Sequence, residues 1–144
     1  MTRDRKQVLY VFNLLRITGY ALREKGGRPL LNTKKKAIEA AKIANSKKAK
    51  DTLILELKNL STFTDYFVIC SGESSIQVKT IAEAIEEKFS KNKIFLLGRE
   101  GLSSARWVLL DYGDVVIHIF NEESRAYYEL EKFWLDAPRI SIKD

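Results

Sequence analysis

The spacing of apolar residues changes along the chain between a helical and a strand-like pattern. The pairs Asn32-Thr33 and Ser74-Ser75 each precede apolar residues that recur every three or four positions. These capping pairs predict one helix through about Ser46 and a longer one to about Ser90. Shorter apolar runs bounded by turn residues predict five strands, at Thr52–Leu57, Tyr66–Ser71, Lys93–Leu97, Trp107–Asp111 and Val115–Phe120.

The stretch Ser103–Trp134 organises the rest of the chain. Its two strand-like runs are separated by a short link containing Gly113, which indicates a β-hairpin. Both runs are apolar at odd and even positions, so we expect both faces of the hairpin to be covered. The following segment, Glu122–Trp134, has helical spacing and predicts a terminal helix that buries Tyr127, Leu130 and Trp134.

The order of these elements predicts the fold class. Strands separated by helices, together with a hairpin, give an α/β fold with a mixed five-stranded sheet and flanking helices. The unit from Tyr66 to Leu97 is expected to be a right-handed parallel crossover, followed by a loop at Gly98–Gly101. We divide the chain into a basic N-terminal extension (1–30), an α/β domain (31–137) and a polar tail (138–144).

The composition excludes several kinds of site. The chain of 144 residues has one Cys and one His, so it holds no intramolecular disulfide and no Cys/His metal cluster. Cys70 and His118 both lie within apolar runs and are interpreted as buried structural residues. We expect no metal and no cofactor.

The basic character of the chain is concentrated at its start. The net charge is +6, of which residues 1–30 contribute +5 and residues 31–144 contribute +1. The apolar cluster Val8–Ile17 is too short and too interrupted to cross a membrane. Three interpretations of residues 1–30 stay open: an accessory helix packing on the body or on another copy, an organelle-targeting segment, or an extension without a folded role.

The first predicted helix carries many lysines. They indicate either a solvated helix face or a surface that contacts phosphate groups. No aromatic residue lies among them, so stacking on nucleic-acid bases is unsupported.

The turn Gly72–Ser75 is the strongest candidate for an enzymatic site. Glycine and hydroxyl groups at a helix start can hold a phosphate, and nucleotidyltransferase folds begin their site in this way. Such enzymes need paired carboxylates on the next strand to hold a divalent metal, and Lys93–Leu97 has none. We therefore predict a non-enzymatic protein, with a nucleotide-binding or nucleotidyl-transferring enzyme as the alternative.

The remaining candidates lie on a surface suited to a partner. Tyr128 falls outside the predicted buried stripe, and Trp107 follows a charged loop, so each is either a candidate anchor for a partner or a residue packed inside the fold. Carboxylates cluster at the ends of the last strands and would suit a basic partner; they are Glu100, Asp111, Asp114, Glu122 and Glu123.

Four motifs, in order and with matching spacing, resemble the ribosomal silencing factor family (RsfS, also called Iojap). The likeness covers about residues 33–134, whereas the compact bacterial pattern lacks residues 1–30. The motifs are Thr64–Gly72, Gly98–Gly101, Ala105–Phe120 and Glu122–Trp134.

This resemblance implies a fold related to nucleotidyltransferases but without their catalytic carboxylates. It also implies a cytoplasmic translational repressor, without membrane association, that binds the large ribosomal subunit through ribosomal protein fourteen and blocks joining of the small subunit. Organelle relatives act instead in large-subunit assembly, so a role as a large-subunit assembly factor is an alternative. Several members form homodimers, and incidental contact with ribosomal RNA is a further expectation. The contact residues it implies are Trp107, Asp111, Asp114, Arg125, Tyr128, Glu131 and Trp134.

Overall fold

The computed structural model describes residues 32–61 and 63–142, so the expectations for residues 1–30 lie outside the described residues. Three α-helices, one 3₁₀ helix and six strands are present in these two ranges. In chain order they are α1 (Thr33–Ser46), β1 (Lys50–Glu56), β2 (Tyr66–Gly72), α2 (Ser75–Lys91), β3 (Gly98–Glu100), β4 (Trp107–Asp111), β5 (Val115–Asn121), α3 (Glu122–Tyr128), the 3₁₀ helix (Leu130–Trp134) and β6 (Arg139–Ile140).

The strands form one mixed sheet in the order β3-β4-β5-β2-β1-β6. The central pair, β5 and β2, is parallel, and every other neighbouring pair is antiparallel. The two hairpin strands β4 and β5 pair as predicted, and their side chains are almost entirely buried on both faces. This arrangement confirms the mixed sheet with flanking helices.

Two hydrophobic clusters cover the two faces of the sheet. Residues alternate between the faces along each strand, as the two-residue period of a strand requires. Along β2, Val68 and Cys70 pack with α1 and α2, whereas Phe67 and Ile69 pack with Leu130 of the 3₁₀ helix. The α1–α2 pair and the α3–3₁₀ segment therefore lie on opposite faces of the sheet.

The predicted strand at Lys93–Leu97 is wrong, and the adjacent loop prediction at Gly98–Gly101 is wrong as well. Residues 94–97 form no ladder, and the edge strand begins only at Gly98, opposite Asp111. Lys93 has a left-handed backbone (φ 61°), which lets the chain turn sharply after α2 before it reaches the sheet. The apolar run therefore lies next to the edge strand, but pairing with β4 begins only after that run ends.

The predicted continuous helix Glu122–Trp134 is also wrong. It breaks at Glu129, which adopts the left-handed conformation (φ 47°, ψ 48°), and continues as a 3₁₀ helix. Before the break, Tyr127 is 60% exposed instead of buried, while Tyr128 packs on Trp107 with ring centroids 4.9 Å apart. The break changes which side chains face the core, so the two adjacent tyrosines exchange their predicted roles.

The segment predicted as a polar tail contributes a sixth strand. In β6, Ile140 pairs with Ile54 and Arg139 pairs with Leu55, both on β1. The backbone N–H of Glu56 also donates to the carbonyl of Pro138 at 2.9 Å. The sheet therefore has six strands instead of five, and residues 138–140 belong to the folded body.

Asp114, in the turn between the hairpin strands, joins three elements. Its carboxylate accepts hydrogen bonds from the Thr33 hydroxyl at 2.9 Å and from the Lys36 ammonium at 2.8 Å, both on α1. Its carbonyl accepts from the backbone N–H groups of Asp65 and Tyr66, where β2 begins. Because the side chains of Lys36 and Asp114 are only 6% and 16% exposed, this ion pair is largely shielded from water.

We expect Gly101→Ala to destabilise the protein by about 2–4 kcal/mol. Gly101 has φ +82°, and a Cβ there would lie 2.0 Å from the carbonyl oxygen of Trp107, which is backbone and cannot rotate away. Gly98→Ala is the matched control, because a Cβ at Gly98 meets no atom within 4 Å. Urea denaturation of both variants measures the difference, and equal stability of the two would contradict this account.

Candidate partner-binding surface

A layer of aromatic side chains lies between α3 and the sheet. The indole N–H of Trp107 donates to Nδ1 of His118 at 3.0 Å, and the Trp107 ring stacks on Phe120 at 4.8 Å between centroids. Tyr128 lies over both Trp107 and Phe120, at 4.9 and 6.4 Å. The position of α3 on the sheet is therefore fixed by contacts among large, stiff rings.

His118 is a fully buried, neutral member of this layer, which confirms its interpretation as a core histidine. Burial lowers its pKa to about 3, because a charged imidazolium would lose its hydration there. Since Nδ1 accepts the Trp107 hydrogen bond, the ring proton resides on Nε2. Cys70 lies in the hydrophobic cluster on the opposite face of the sheet, beneath α1 and α2. Burial raises the pKa of its thiol to about 12, which makes the thiol unreactive, as predicted.

Arg125 connects α3 to the sheet and to the 3₁₀ helix. Its Nη1 donates to the Ser71 hydroxyl at 2.9 Å, and its Nε donates to Glu131 at 3.2 Å. The side chains of Arg125 and Glu131 are 11% and 26% exposed, so this pair is partly shielded from solvent. It holds the two short helices together across the break at Glu129.

The outer side of α3 and the 3₁₀ helix presents large apolar residues to solvent. Tyr127, Phe133 and Leu135 are 60%, 59% and 76% exposed, all within nine residues of the chain. Residues 122–136 around them hold five acidic and two basic side chains, a net charge of −3. We name this region, residues 122–136, the acidic–aromatic surface.

The structure separates the sequence-predicted contact residues into two groups. Arg125, Tyr128, Glu131 and Trp134 lie within the acidic–aromatic surface, each partly exposed. Of the two interpretations of Trp107, packing inside is confirmed, because its side chain is covered by Tyr128 and Phe120 and is only 6% exposed.

The two turn carboxylates have structural contacts. Asp111 is 1% exposed and accepts from the backbone N–H of Gly113 at 2.8 Å, which stabilises the hairpin turn. Asp114 pairs with Lys36 on the opposite side of the sheet from α3. Neither belongs to the acidic–aromatic surface.

Sequence reasoning missed Tyr127, Phe133 and Leu135 as exposed residues. The helical period places Tyr127 on the buried stripe, and only the capping of α3 by Asn121 together with the break at Glu129 turns it outward. Glu129 is not a glycine, so the sequence gives no signal for a left-handed residue at this position.

At the Gly72–Ser75 turn a lysine lies between two carboxylates. Lys50, beside a β-bulge in β1, forms ion pairs with Glu73 and, at 3.5 Å, with Glu122. Ser74 caps α2 by accepting from the backbone N–H of Gln77 at 3.1 Å. Within the described residues, no group of three or more His, Cys, Asp or Glu side chains is placed to hold a metal ion.

Comparison with known proteins shows where this architecture belongs. The model of the family described as "Ribosomal silencing factor during starvation" matches residues 31–144. The chain belongs to this family. A ribosomal silencing factor of Bacillus subtilis is 45% identical over 103 residues, which cover 72% of this chain and 87% of that protein. The resemblance found in the sequence motifs is confirmed.

Solved structures and plant relatives are consistent with this membership. A crystal structure from Bacillus halodurans is 40% identical with a TM-score of 0.64, covering 71% of this chain and 92% of that one. A second, from Chromobacterium violaceum, is 28% identical with a TM-score of 0.71, covering 79% and 94%. The chloroplastic protein Iojap of Arabidopsis thaliana is 34% identical over 74% of this chain and 44% of its own length.

No helix within residues 32–61 and 63–142 is long and apolar enough to cross a lipid bilayer.

The buried histidine predicts a dependence of stability on pH. The folded-state pKa of His118 is lowered to about 3, so the unfolded chain binds a proton that the folded chain excludes as the pH falls below about 6.5. The stabilisation from His118 is therefore present near neutral pH and is lost toward pH 3. We expect His118 to account for a loss of about 2 kcal/mol between pH 7 and pH 5.

The variant His118→Gln isolates this contribution, because its amide does not titrate in this range and its oxygen can accept a hydrogen bond from Trp107. Urea denaturation at both pH values should show a smaller decrease in stability for the variant than for the unaltered chain. Equal decreases in both proteins would show that His118 is protonated in the folded state.

Proposed function

We propose that this protein represses translation by binding the large ribosomal subunit through ribosomal protein fourteen, at the face where the small subunit docks. A protein bound there blocks association of the two subunits by occupying space. Membership of the ribosomal silencing factor family supports this role in general. The single observation that carries the proposed binding face is the cluster of exposed Tyr127, Phe133 and Leu135 among carboxylates.

The chemistry of this face suits a basic protein partner. Several large exposed apolar side chains close together are typical of interaction surfaces, and aromatic residues are enriched among those that dominate binding energy. The surrounding carboxylates, with a net charge of −3, attract and orient a positively charged partner. Ribosomal proteins carry such basic surfaces because they bind RNA.

The residues implied by the family resemblance take two roles in this proposal. Arg125, Tyr128, Glu131 and Trp134 contact the partner from within the acidic–aromatic surface. Trp107 positions Tyr128 through their ring contact, while Asp111 and Asp114 hold the hairpin that supports α3.

A non-enzymatic role is supported by the ion pairs at the Gly72–Ser75 turn. A nucleotidyl-transferring enzyme would need free carboxylates there to bind a metal ion. Glu73 and Glu122 instead both form solvent-exposed ion pairs with the Lys50 ammonium.

The acidic–aromatic surface can be tested by co-sedimentation with purified large ribosomal subunits. We expect the double variant Tyr127→Ala/Phe133→Ala to lower the affinity at least about tenfold, because a single aromatic residue that acts as an interface hot spot contributes about 2 kcal/mol or more. Phe95→Ala is the matched control, since Phe95 is 72% exposed but lies outside residues 122–136. The control is expected to bind like the unaltered chain.

Circular dichroism of all variants establishes that each one remains folded. If the unaltered chain fails to co-sediment near physiological salt, the proposed function is wrong. If it binds but Phe95→Ala is the weaker variant, the binding face lies elsewhere on the molecule.

A further inference from the structure

The outer surface of α1 and α2 is rich in lysine. Two adjoining cavities of about 600 and 440 Å³ lie along these helices and share Glu39 and Lys42. Together they are lined by six lysines and two glutamates, a net charge of +4. We name this surface the lysine face; its lysines are Lys34, Lys35, Lys42, Lys47, Lys88 and Lys91.

The stability of α1 does not explain these lysines. The first turn of a helix favours acidic side chains, because the free N–H groups there carry partial positive charge. The first turn of α1 contains no acidic residue, and Lys34 and Lys35 are exposed there. Lys36 is neutralised by Asp114, whereas Lys34 and Lys35 form no ion pair with any carboxylate of residues 32–61 or 63–142.

The lysine face is separate from the acidic–aromatic surface. The helices α1 and α2 cover one face of the sheet, and α3 and the 3₁₀ helix cover the other. The two surfaces also have opposite charge, +4 on the lysine-lined cavities and −3 over residues 122–136. A single partner with one sign of charge cannot satisfy both.

We propose that the lysine face binds the phosphate backbone of RNA. This inference rests on the proposed function, which brings the protein to a particle rich in RNA. Lys34 and Lys47 lie at opposite ends of α1, about 20 Å apart along its axis, which is long enough to follow several successive phosphates. Neutralising each phosphate releases bound counterions, so binding by this face weakens steeply as salt is raised.

Recognition by this face does not depend on base sequence. The only aromatic residue in α1 and α2 is Phe89, which is completely buried, so neither helix offers a ring on which a base could stack. Lysine ammonium groups contact phosphates as point charges. The expected ligand is therefore an RNA of any sequence, recognised through its backbone.

The test is fluorescence anisotropy of the full chain with a labelled RNA duplex and with a single strand of equal length. The triple variant Lys34→Glu/Lys35→Glu/Lys42→Glu should bind at least about tenfold more weakly at about 100 mM salt. The slope of log K against log salt is negative, and its magnitude should fall by about two to three for the variant. Its thermal midpoint should be unchanged or higher, because glutamate is favourable in the first turn of α1.

The matched control is Lys58→Glu/Arg106→Glu/Arg139→Glu, which changes the net charge by the same amount at exposed positions outside the two cavities. It should keep its affinity within about threefold, since the lysine face is intact. This comparison is needed because residues 1–30 carry a net charge of +5 of their own.

Equal losses in the two triple variants would overturn the inference, because they would reflect net charge alone. Binding to anionic phospholipid vesicles without binding to either RNA would also overturn it. Co-sedimentation with large subunits separates the two proposals. If the unaltered chain co-sediments but RNA binding is insensitive to the lysine-face variant, only this inference fails; if RNA binding is sensitive but no co-sedimentation occurs, only the proposed function fails.

Discussion

The structure depends on the way Asp114 ties the hairpin turn to α1 and β2. One carboxylate and one carbonyl of the same residue accept hydrogen bonds from Thr33, Lys36, Asp65 and Tyr66. These bonds set where α1 begins over the sheet and where the parallel pair β2–β5 starts. Because β4 pairs with β5 and β3 pairs with β4, the positions of these two strands depend in turn on β5.

Local signals account for most of the fold that could be predicted from the sequence. Asn32 and Ser74 mark the starts of α1 and α2 because their side chains satisfy free backbone N–H groups. The errors lie where long-range contacts decide. The apolar run Lys93–Leu97 has the composition of a strand but no partner strand, and the break at Glu129 follows from packing Leu130 into the core and pairing Arg125 with Glu131.

The candidate site was less predictable than the fold. Tyr128, Glu131 and Trp134, predicted from the sequence as contact residues, lie in the acidic–aromatic surface and are each partly exposed, so their role as contacts stays a prediction. Exposure within that stretch could not be assigned from the sequence, because the break at Glu129 lets α3, which carries both tyrosines, pack in an orientation independent of the 3₁₀ helix. Asp114 shows a similar limitation. An aspartate in a turn looks the same in the sequence whether its carboxylate is free to bind a partner or is paired with a lysine such as Lys36.

The two edge strands of the sheet determine whether it can be extended by another chain. β3 has three residues and β6 has two, so each leaves only a short row of backbone groups for a further strand. β6 pairs with Ile54 and Leu55 in the middle of the apolar part of β1, which would otherwise be an open edge of seven residues. Two residues near the end of the chain thus protect the molecule from strand-to-strand aggregation, a property unrelated to either of its charged surfaces.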